Sequence, residues 1–244
     1  EDHMDRLYNC AHYLLLDIPY TREELSNAVC ETAAASGLSD GYIRLVVTRG
    51  IGNLGLNPFN CKRPSVFIIA DKISLYDPAV YENGLPLITS SVRRNRPDAL
   101  CPQVKSLNYL NNILAKMEAV RQGVAEALML NDLGNVAECT GDNIFIVKDG
   151  AVFTPPVTDG CLDGITRRVV LEICRELQIL AEEKTMNRFT ITCADECFLT
   201  GTAAECVPVT KLDAYQLGSG KIGPVTARIL ARFQELTQTT GTAF

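Results

Sequence analysis

Short strand-like runs and helical patterns follow each other irregularly beyond Leu107, and this irregularity restricts the possible fold more than any other feature. Strand-like runs lie at residues 126–130, 143–148, 152–153, 181–185, 196–200 and 207–211. Helical patterns begin at Leu107, cover 165–177 and begin again at Pro224, where proline suits the first helical position. Because these elements do not form repeating strand–helix–strand units, they predict a mixed α+β domain rather than a doubly wound parallel sheet.

The N-terminal part predicts a smaller α+β domain over residues 1–94. A helix is expected over 2–16, and the capping box from Thr21 to Glu24 predicts a second helix that ends at Gly37. Strand-like runs follow at 42–48, 65–70 and 87–91. Residues 95–105, with two prolines, are predicted to link this domain to a large domain over 106–244. Since the chain begins inside a predicted helix, we expect an N-terminal part of the small domain to be missing.

Composition and charge exclude several classes of protein. A formal net charge of −6 argues against a nucleic-acid-binding surface, and the basic run Arg93-Arg94-Asn-Arg96 is expected to be a solvated turn. No apolar run approaches the roughly 20 residues of a membrane span. Ten scattered cysteines without a Cys-x-x-Cys pair, and two histidines, favour reduced thiols in a cytoplasmic protein without a metal site.

Two stretches match the dinucleotide-binding pattern G-x-G-x-x-G, at residues 50–55 and 218–223. A dinucleotide site needs these glycines between a strand and a helix, with an acidic residue about 20 positions later. Neither stretch meets both conditions. Both are therefore predicted to be turns, and no nucleotide is expected to bind.

Lys105 stands just before an amphipathic helix. Cys101-Pro102 ends the preceding segment, and apolar residues then recur at helical spacing at Leu107, Leu110, Ile113, Leu114 and Met117. The positive end of a helix dipole helps an amine to lose its proton, which is a condition for a lysine that forms a Schiff base. A solvated loop lysine is the alternative that this residue alone leaves open.

Three stretches carry a longer signature: Val104-Lys-Ser-Leu-Asn-Tyr109, Asn135-Val-Ala-Glu-Cys-Thr-Gly-Asp-Asn-Ile-Phe145 and Leu162-Asp-Gly-Ile-Thr-Arg167. In order and spacing they resemble the fold-type IV pyridoxal phosphate enzymes, the family of branched-chain and D-amino-acid aminotransferases and aminodeoxychorismate lyase. The signature positions are filled by Glu138, Asn143, Phe145, Thr154, Gly164 and Arg167. The resemblance covers nearly the whole chain and implies the two-domain α+β fold of that family.

The resemblance also implies how pyridoxal 5'-phosphate is held. Lys105 would bind the aldehyde carbon and move the proton during transamination. Glu138 would keep the pyridine nitrogen protonated, and Tyr109 would hydrogen-bond the phenolic oxygen. The phosphate would be bound by backbone amides at a helix start and by a cation. The residues implied for the phosphate are Gly164, Ile165, Thr166, Thr202 and Arg6; Arg167, the other cation nearby, has a solvent-facing position on the helix as its alternative.

For the substrate, the resemblance to branched-chain enzymes implies Tyr42, Arg44, Leu56, Tyr76, Gly201 and Ala203. Arg44 alternates with Tyr42 on one face of a predicted strand. In the family, Leu56 belongs to a loop that the other subunit supplies. An ordinary strand and hairpin loop is the alternative for these positions.

The sequence therefore predicts an aminotransferase of branched-chain amino acid biosynthesis that transfers nitrogen from L-leucine, L-isoleucine or L-valine to 2-oxoglutarate, as a homodimer or larger homo-oligomer. One alternative is a D-amino-acid aminotransferase, which carries an Arg-x-His element where this chain has Leu54-Gly-Leu56. The others are aminodeoxychorismate lyase and a catalytically silent relative, and the presence of both Lys105 and Glu138 argues against the silent relative.

Overall fold

The computed structural model describes residues 1–73 and 75–243, and it divides into two compact units. The first unit spans residues 1–74 with 241–244, and the second spans residues 75–240. The predicted small domain extended further, to residue 94. Residues 75–94 belong to the second unit instead, because the strand that they contain is hydrogen-bonded within the large sheet of that unit.

The first unit contains helices α1 (Asp2–Tyr13) and α2 (Arg22–Ser36), and an antiparallel pair of strands, β1 (Tyr42–Thr48) and β2 (Ser65–Asp71). A short 3-10 helix, Pro58–Asn60, lies between the strands. The predicted capping box is present, since the Thr21 hydroxyl accepts from the Glu24 amide and the Glu24 carboxylate accepts from the Thr21 amide. Gly37 ends α2 with a φ of 66°. Both ends of this helix are therefore as the sequence predicted.

The second unit alternates helices and strands. Its helices are α3 (Pro78–Asn83), α4 (Leu110–Arg121), α5 (Ile165–Glu176), α6 (Arg188–Thr192) and α7 (Pro224–Thr239), with a 3-10 helix at Val157–Asp159. Its strands are β3 (Leu85–Thr89), β4 (Glu126–Leu130), β5 (Val136–Cys139), β6 (Asn143–Lys148), β7 (Ala151–Thr154), β8 (Ala181–Glu183), β9 (Glu196–Gly201), β10 (Glu205–Leu212) and β11 (Tyr215–Gln216).

These strands form one mixed sheet, which has nine strands in the part of the chain that the structure describes. The order is β5-β4-β3-β10-β9-β6-β7-β8, and β11 pairs with β10. The pairs β3–β4, β3–β10 and β7–β8 are parallel, and the others are antiparallel. The mixture of both directions confirms the predicted α+β class. The strand order also places β5 at one edge of the sheet.

Both faces of the sheet are covered by apolar side chains. On β6, Ile144 and Ile146 pack into one core, whereas Phe145 and Val147 pack into a second core with residues of α5 and α7. Successive side chains of a strand point to opposite faces, so a strand that is buried on both faces is apolar at nearly every position. Phe145 stacks on Phe198 of β9 across the second core, with ring centroids 5.0 Å apart.

Helix α4 is oriented unexpectedly. The apolar residues that predicted this helix face outward, and small or polar residues face the sheet. The exposed fractions lie between 44% and 68% for Leu110, Ile113, Leu114, Met117 and Val120. Asn112, Ala115 and Ala119 are buried instead. Small inward side chains allow the helix to approach the sheet closely and leave an apolar face on the surface of this unit.

In the described residues the ten cysteines are free thiols, and no group of His, Cys, Asp and Glu is arranged to hold a metal ion. Within the same residues, none of the helices has the length and apolar character needed to cross a membrane. The two G-x-G-x-x-G stretches lie outside helices and strands.

Candidate active site

Lys105 lies in the loop before α4, together with the residue that caps this helix. Its Nζ donates a hydrogen bond to the Tyr109 hydroxyl, with 3.1 Å between nitrogen and oxygen. Tyr109 is the N-cap residue of α4, and both side chains are exposed. An amine and a phenol at this distance can bind neighbouring atoms of one ligand. The helix dipole begins at the same point.

Glu138, on edge strand β5, is only 5% exposed. Its Oε1 accepts from Arg94 Nε at 2.8 Å, and its Oε2 accepts from the Leu162 amide at 2.9 Å. Asn143 Nδ2 lies 3.5 Å from the same Oε2. Burial raises the pKa of Glu138, whereas the charge of Arg94, the Leu162 amide and the charge of Lys105 act to lower it. The carboxylate is thus removed from water but compensated by donors and positive charge.

Arg94 contacts Glu138, and the sequence analysis did not single it out. The basic run that contains it was predicted to be a solvated turn, but the Arg94 side chain is 9% exposed and forms an ion pair with Glu138. Its Nη1 also donates to the side-chain oxygens of Asn111 and Asn112, each at 3.2 Å. The prediction failed because the partners of Arg94 lie far away in sequence, where no spacing rule reaches.

The start of α5 belongs to the same network. Gly164 occupies the N-cap position and has no side chain, so the amides of Ile165 and Thr166 begin the helix without a side-chain cap. A Cβ at Gly164 would collide with Asn143 Oδ1. Asn143 Nδ2 in turn donates to the Leu162 carbonyl at 2.9 Å. The glycine therefore allows the helix start to pack directly against β6.

The turn after β9 is built in a similar way. Gly201 ends the strand, and a Cβ at this position would collide with Asp142 Oδ1. Thr202 and Ala203 follow in the turn, where Thr202 is exposed and Ala203 is half-buried. The turn thus presents backbone and small side chains, and the roles predicted for Gly201, Thr202 and Ala203 stay predictions.

Asp142 connects this turn to Tyr76. The Tyr76 hydroxyl donates to Asp142 Oδ2 at 2.9 Å, and the tyrosine is buried in the first core. Burial and the nearby Glu126 carboxylate raise the pKa of Asp142 to about 6, while the Tyr76 hydroxyl and Lys116 act to lower it. The tyrosine hydroxyl therefore contacts the turn between β5 and β6. The predicted contact of Tyr76 with substrate stays a prediction.

Arg167 is buried, at 2% exposure. The sequence analysis gave two possibilities for this residue, a role near the phosphate or a solvent-facing position on the helix. Its Nη2 donates to the Pro155 carbonyl at 2.9 Å and pairs with the Glu183 carboxylate. The solvent-facing position is wrong, because α5 turns this side of its first turn toward the strands β7 and β8. Arg167 anchors the helix start.

The remaining predicted residues belong to the first unit. Arg6 lies on α1, half-buried, with its Nη2 3.5 Å from His3 Nδ1. On β1, Tyr42 is half-buried and Arg44 is exposed. Leu56 is fully exposed in the loop between β1 and β2. The roles predicted for these four residues stay predictions.

Comparison with known proteins identifies the family. Residues 1–212 match the family described as class IV amino-transferases. The chain belongs to this family. It is an aminotransferase, and pyridoxal 5'-phosphate is the cofactor of its class. The predicted family, fold class and cofactor are therefore confirmed.

The most similar proteins include both curated sequences and solved structures. A Methanocaldococcus jannaschii protein with the provisional name branched-chain-amino-acid aminotransferase is 47% identical over 236 residues, which are 97% of this chain and 81% of that protein. The crystal structure of the Escherichia coli branched-chain amino acid aminotransferase is 35% identical, with a TM-score of 0.94 over 96% of this chain and 78% of that one. The branched-chain aminotransferase of the archaeon Thermoproteus uzoniensis, solved with norvaline, is 38% identical, with a TM-score of 0.89 over 98% of this chain and 78% of that one.

The residues of this aminotransferase fit the cofactor. The second unit provides an amine, a phenol, a buried carboxylate and two turns in which a Cβ would collide with a neighbouring side chain. Thr200, directly before the Gly201 turn, has a buried hydroxyl without a hydrogen-bond partner in the described part of the chain. These are the groups that an aldehyde, a phenolic oxygen, a protonated ring nitrogen and a phosphate need.

Proposed function

We propose that the protein transfers the amino group of L-leucine, L-isoleucine or L-valine to 2-oxoglutarate. The observation that carries the choice of substrate is the loop of residues 51–59, which contains no Arg, Lys or His. It offers the exposed apolar side chains Ile51, Leu54, Leu56 and Phe59. Burying a leucine or valine side chain in such a lining contributes roughly 1.5 to 3 kcal/mol, which favours such a donor over alanine. The names of the similar proteins support the same substrate class.

When bound, pyridoxal phosphate supplies an aldehyde carbon that accepts the amino group and a protonated ring that withdraws electrons from the reacting carbon. Lys105 Nζ is proposed to take the proton from the substrate α-carbon and to deliver it to the carbon of the cofactor that carried the aldehyde. The Tyr109 hydroxyl, 3.1 Å from that nitrogen, orients the amine. Glu138 is proposed to keep a proton on the ring nitrogen.

Phosphate binding is assigned to backbone amides of the second unit. The amides of Ile165 and Thr166 at the start of α5 lack acceptors within the helix and lie at the positive end of its dipole, and Gly164, whose own amide donates to the Leu162 carbonyl at 2.9 Å, is proposed to let the phosphate approach them. The turn that contains Thr202 provides further donors, and Gly201 and Ala203 are proposed to face the substrate. Arg6 is proposed as the cation, and Tyr42, Arg44 and Tyr76 as substrate contacts, on the basis of the resemblance.

A second copy of the chain is proposed to cover the apolar face of α4, which makes the protein a homodimer or larger homo-oligomer. An exposed apolar face of this kind marks a protein–protein interface. In a two-fold symmetric dimer the same patch can pair with itself, so one surface is sufficient. Sedimentation of the wild type and of Met117→Glu, which places a charge on the apolar face of α4, measures the oligomer. The same mass for the variant and the wild type would refute this interface.

Free thiols in the described residues support a reducing compartment, and we propose the cytoplasm.

A panel of amino acids tests the substrate proposal. L-Leucine, L-isoleucine, L-valine, L-alanine and D-alanine are each mixed with the holoenzyme, and the cofactor absorbance is followed as it bleaches. We expect the three branched-chain donors to react at least about tenfold faster than either alanine. If D-alanine reacts faster than L-leucine, the protein is a D-amino-acid aminotransferase. If no amino acid bleaches the cofactor, the silent relative is the correct alternative.

A further inference from the structure

Arg94 joins three parts of the second unit at one guanidinium group. Its Nε donates to Glu138 on β5, and its Nη1 donates to Asn111 and Asn112 in the first turn of α4. The Asn111 oxygen also accepts from the Asn95 amide, and the Asn111 amide group donates to the Arg93 carbonyl. The backbone around Arg94 is thus held on the same helix that its side chain contacts.

This network ties the carboxylate to the helix that follows Lys105. Asn112 donates from its Nδ2 to the Thr140 carbonyl at 2.8 Å, in the turn that follows β5. Asn112 therefore takes part in two connections of α4, one through Arg94 to Glu138 on β5 and one directly to the turn after β5. Any movement of Glu138 relative to the start of α4 breaks hydrogen bonds of buried groups, which is costly.

Charge balance gives Arg94 a second effect. An isolated carboxylate at this degree of burial would take up a proton, because the charged form is poorly solvated. The ionisable groups near Glu138 are Arg94, Lys105, Asp142, Cys139 and Cys161. Of these groups, Arg94 is the one buried cation that contacts the Glu138 carboxylate directly. Lys105 is exposed, and the other three are an acid and two thiols.

We propose that Arg94 is a positioning residue for transamination, which holds Glu138 as a carboxylate and fixes it relative to the helix that follows Lys105. The inference rests on the proposed role of Glu138 toward the ring nitrogen. Stability alone is a weak reason for such a pair, because well-packed apolar residues of similar volume are often as stable as a buried ion pair. A requirement that Glu138 remain charged explains why the ion pair with Arg94 is present.

The first test measures Glu138 itself in the protein without cofactor. The side-chain carboxyl resonance of Glu138, assigned by its loss in Glu138→Gln, is followed by ¹³C NMR from pH 4 to pH 9. In Arg94→Met the titration midpoint should rise by about one to three pH units, because the neighbouring positive charge is lost. Arg94→Lys should restore much of the shift. Arg96→Met, which removes an exposed arginine two positions away, should leave the midpoint unchanged.

The second test is a double-mutant cycle on the rate of the half-reaction with L-leucine. If Arg94 acts through Glu138, adding Arg94→Met to Glu138→Gln should change the rate by less than about twofold, although Arg94→Met alone slows it. Equal titration midpoints in wild type and Arg94→Met, or rate effects that multiply independently, would overturn the proposal. Should Arg94→Met not fold, Arg94→Lys is carried through the same cycle, because it keeps the charge but not the fork of donors. The NMR measurement needs no substrate, so a wrong donor amino acid would not affect it.

Discussion

Glu138 and Asp142 stand at the two ends of one turn between β5 and β6, and both carboxylates are buried, yet their partners differ. The Glu138 carboxylate accepts hydrogen bonds from a guanidinium group and from a backbone amide. The Asp142 carboxylate accepts a hydrogen bond from the Tyr76 hydroxyl and lies near a second carboxylate, Glu126. Burial raises the pKa of both, but only Glu138 has a buried cation in contact to oppose it.

The difference shows how one short turn can place two buried carboxylates in different electrostatic environments. Burial raises the pKa of Glu138 while the charge of Arg94 acts to lower it, whereas burial and the nearby Glu126 carboxylate raise the pKa of Asp142 to about 6. Each end also has its own lysine. Lys105 acts on Glu138, whereas Lys116 forms an ion pair with Glu126 at 3.3 Å and acts on Asp142. We therefore expect the chemistry at the Glu138 end and an effect on stability at the Asp142 end.

The largest expected effect separates the two lysines. Borohydride reduction should fix pyridoxal phosphate to the peptide that contains Lys105, and Lys105→Ala should slow the half-reaction with L-leucine by about a thousandfold, because the proton at the α-carbon loses its base. Peptide mass spectrometry locates the adduct, and Lys116→Ala is the matched control. An adduct on Lys116 would reverse the assignment of the two ends.

Glu138→Gln should give the next largest effect. The amide is nearly isosteric, so the cofactor should remain bound, but it cannot keep the ring nitrogen protonated, and the half-reaction should slow by about a hundredfold or more. Stopped-flow absorbance measures the rate, and the exposed Glu182→Gln serves as control. A wild-type rate in Glu138→Gln would mean that this carboxylate is structural only.

Asp142→Asn should change stability with pH. The pKa of Asp142 is about 6 in the folded protein, against about 3.9 for an unfolded aspartate, so the wild type loses stability as pH rises from 4 through 6. An asparagine does not ionise, and above pH 6 it should raise the free energy of unfolding by about 1 to 3 kcal/mol relative to wild type.

Urea unfolding of the protein without cofactor, at pH 4.5 and pH 8, measures this difference. Asp195→Asn is the control, because Asp195 is exposed and its hydrogen bond with Lys148 lowers its pKa, so no gain at pH 8 is expected. The same difference between Asp142→Asn and wild type at both pH values would disprove the assignment.

The smallest expected effect concerns the hydroxyl that faces Asp142. Tyr76→Phe should lower the free energy of unfolding by about 1 to 2 kcal/mol at pH 8, where the carboxylate is charged, and by less at pH 4.5. Tyr81→Phe is the comparison, since the Tyr81 hydroxyl donates to the neutral Ala204 carbonyl at 3.2 Å and its loss should cost the same at both pH values. Equal pH dependence in the two variants would contradict the role given to Tyr76.

Local patterns predicted much of this fold. The limits of β1, β4 and β6 agree with the strand-like runs, because each strand contains at least four apolar residues. The capping box and Gly37 located α2 for a similar reason, since both ends depend on hydrogen bonds within a few residues. Flanking motifs singled out Lys105 and Glu138 as candidate site residues, and both lie in the second unit.

What the sequence did not predict depends on long-range contacts. Strand β5 was missed because a four-residue run interrupted by Glu138 has no clear strand pattern. The pairs Arg94–Glu138 and Tyr76–Asp142 join residues 44 and 66 positions apart, and no local rule links them. The outward direction of the apolar face of α4 depends on the sheet against which its alanines pack, which helical spacing alone does not specify.

The position of Glu138 on an edge strand also affects how the protein resists aggregation. β5 ends the strand order, and an open edge can pair with a strand from another molecule. Its Val136 amide is already bound to the Met186 carbonyl at 2.8 Å, and an inward-pointing charge on an edge strand opposes the addition of a further strand. The carboxylate proposed for the chemistry thus also protects this edge, and its replacement by an apolar residue should make the open edge of β5 more prone to β-aggregation.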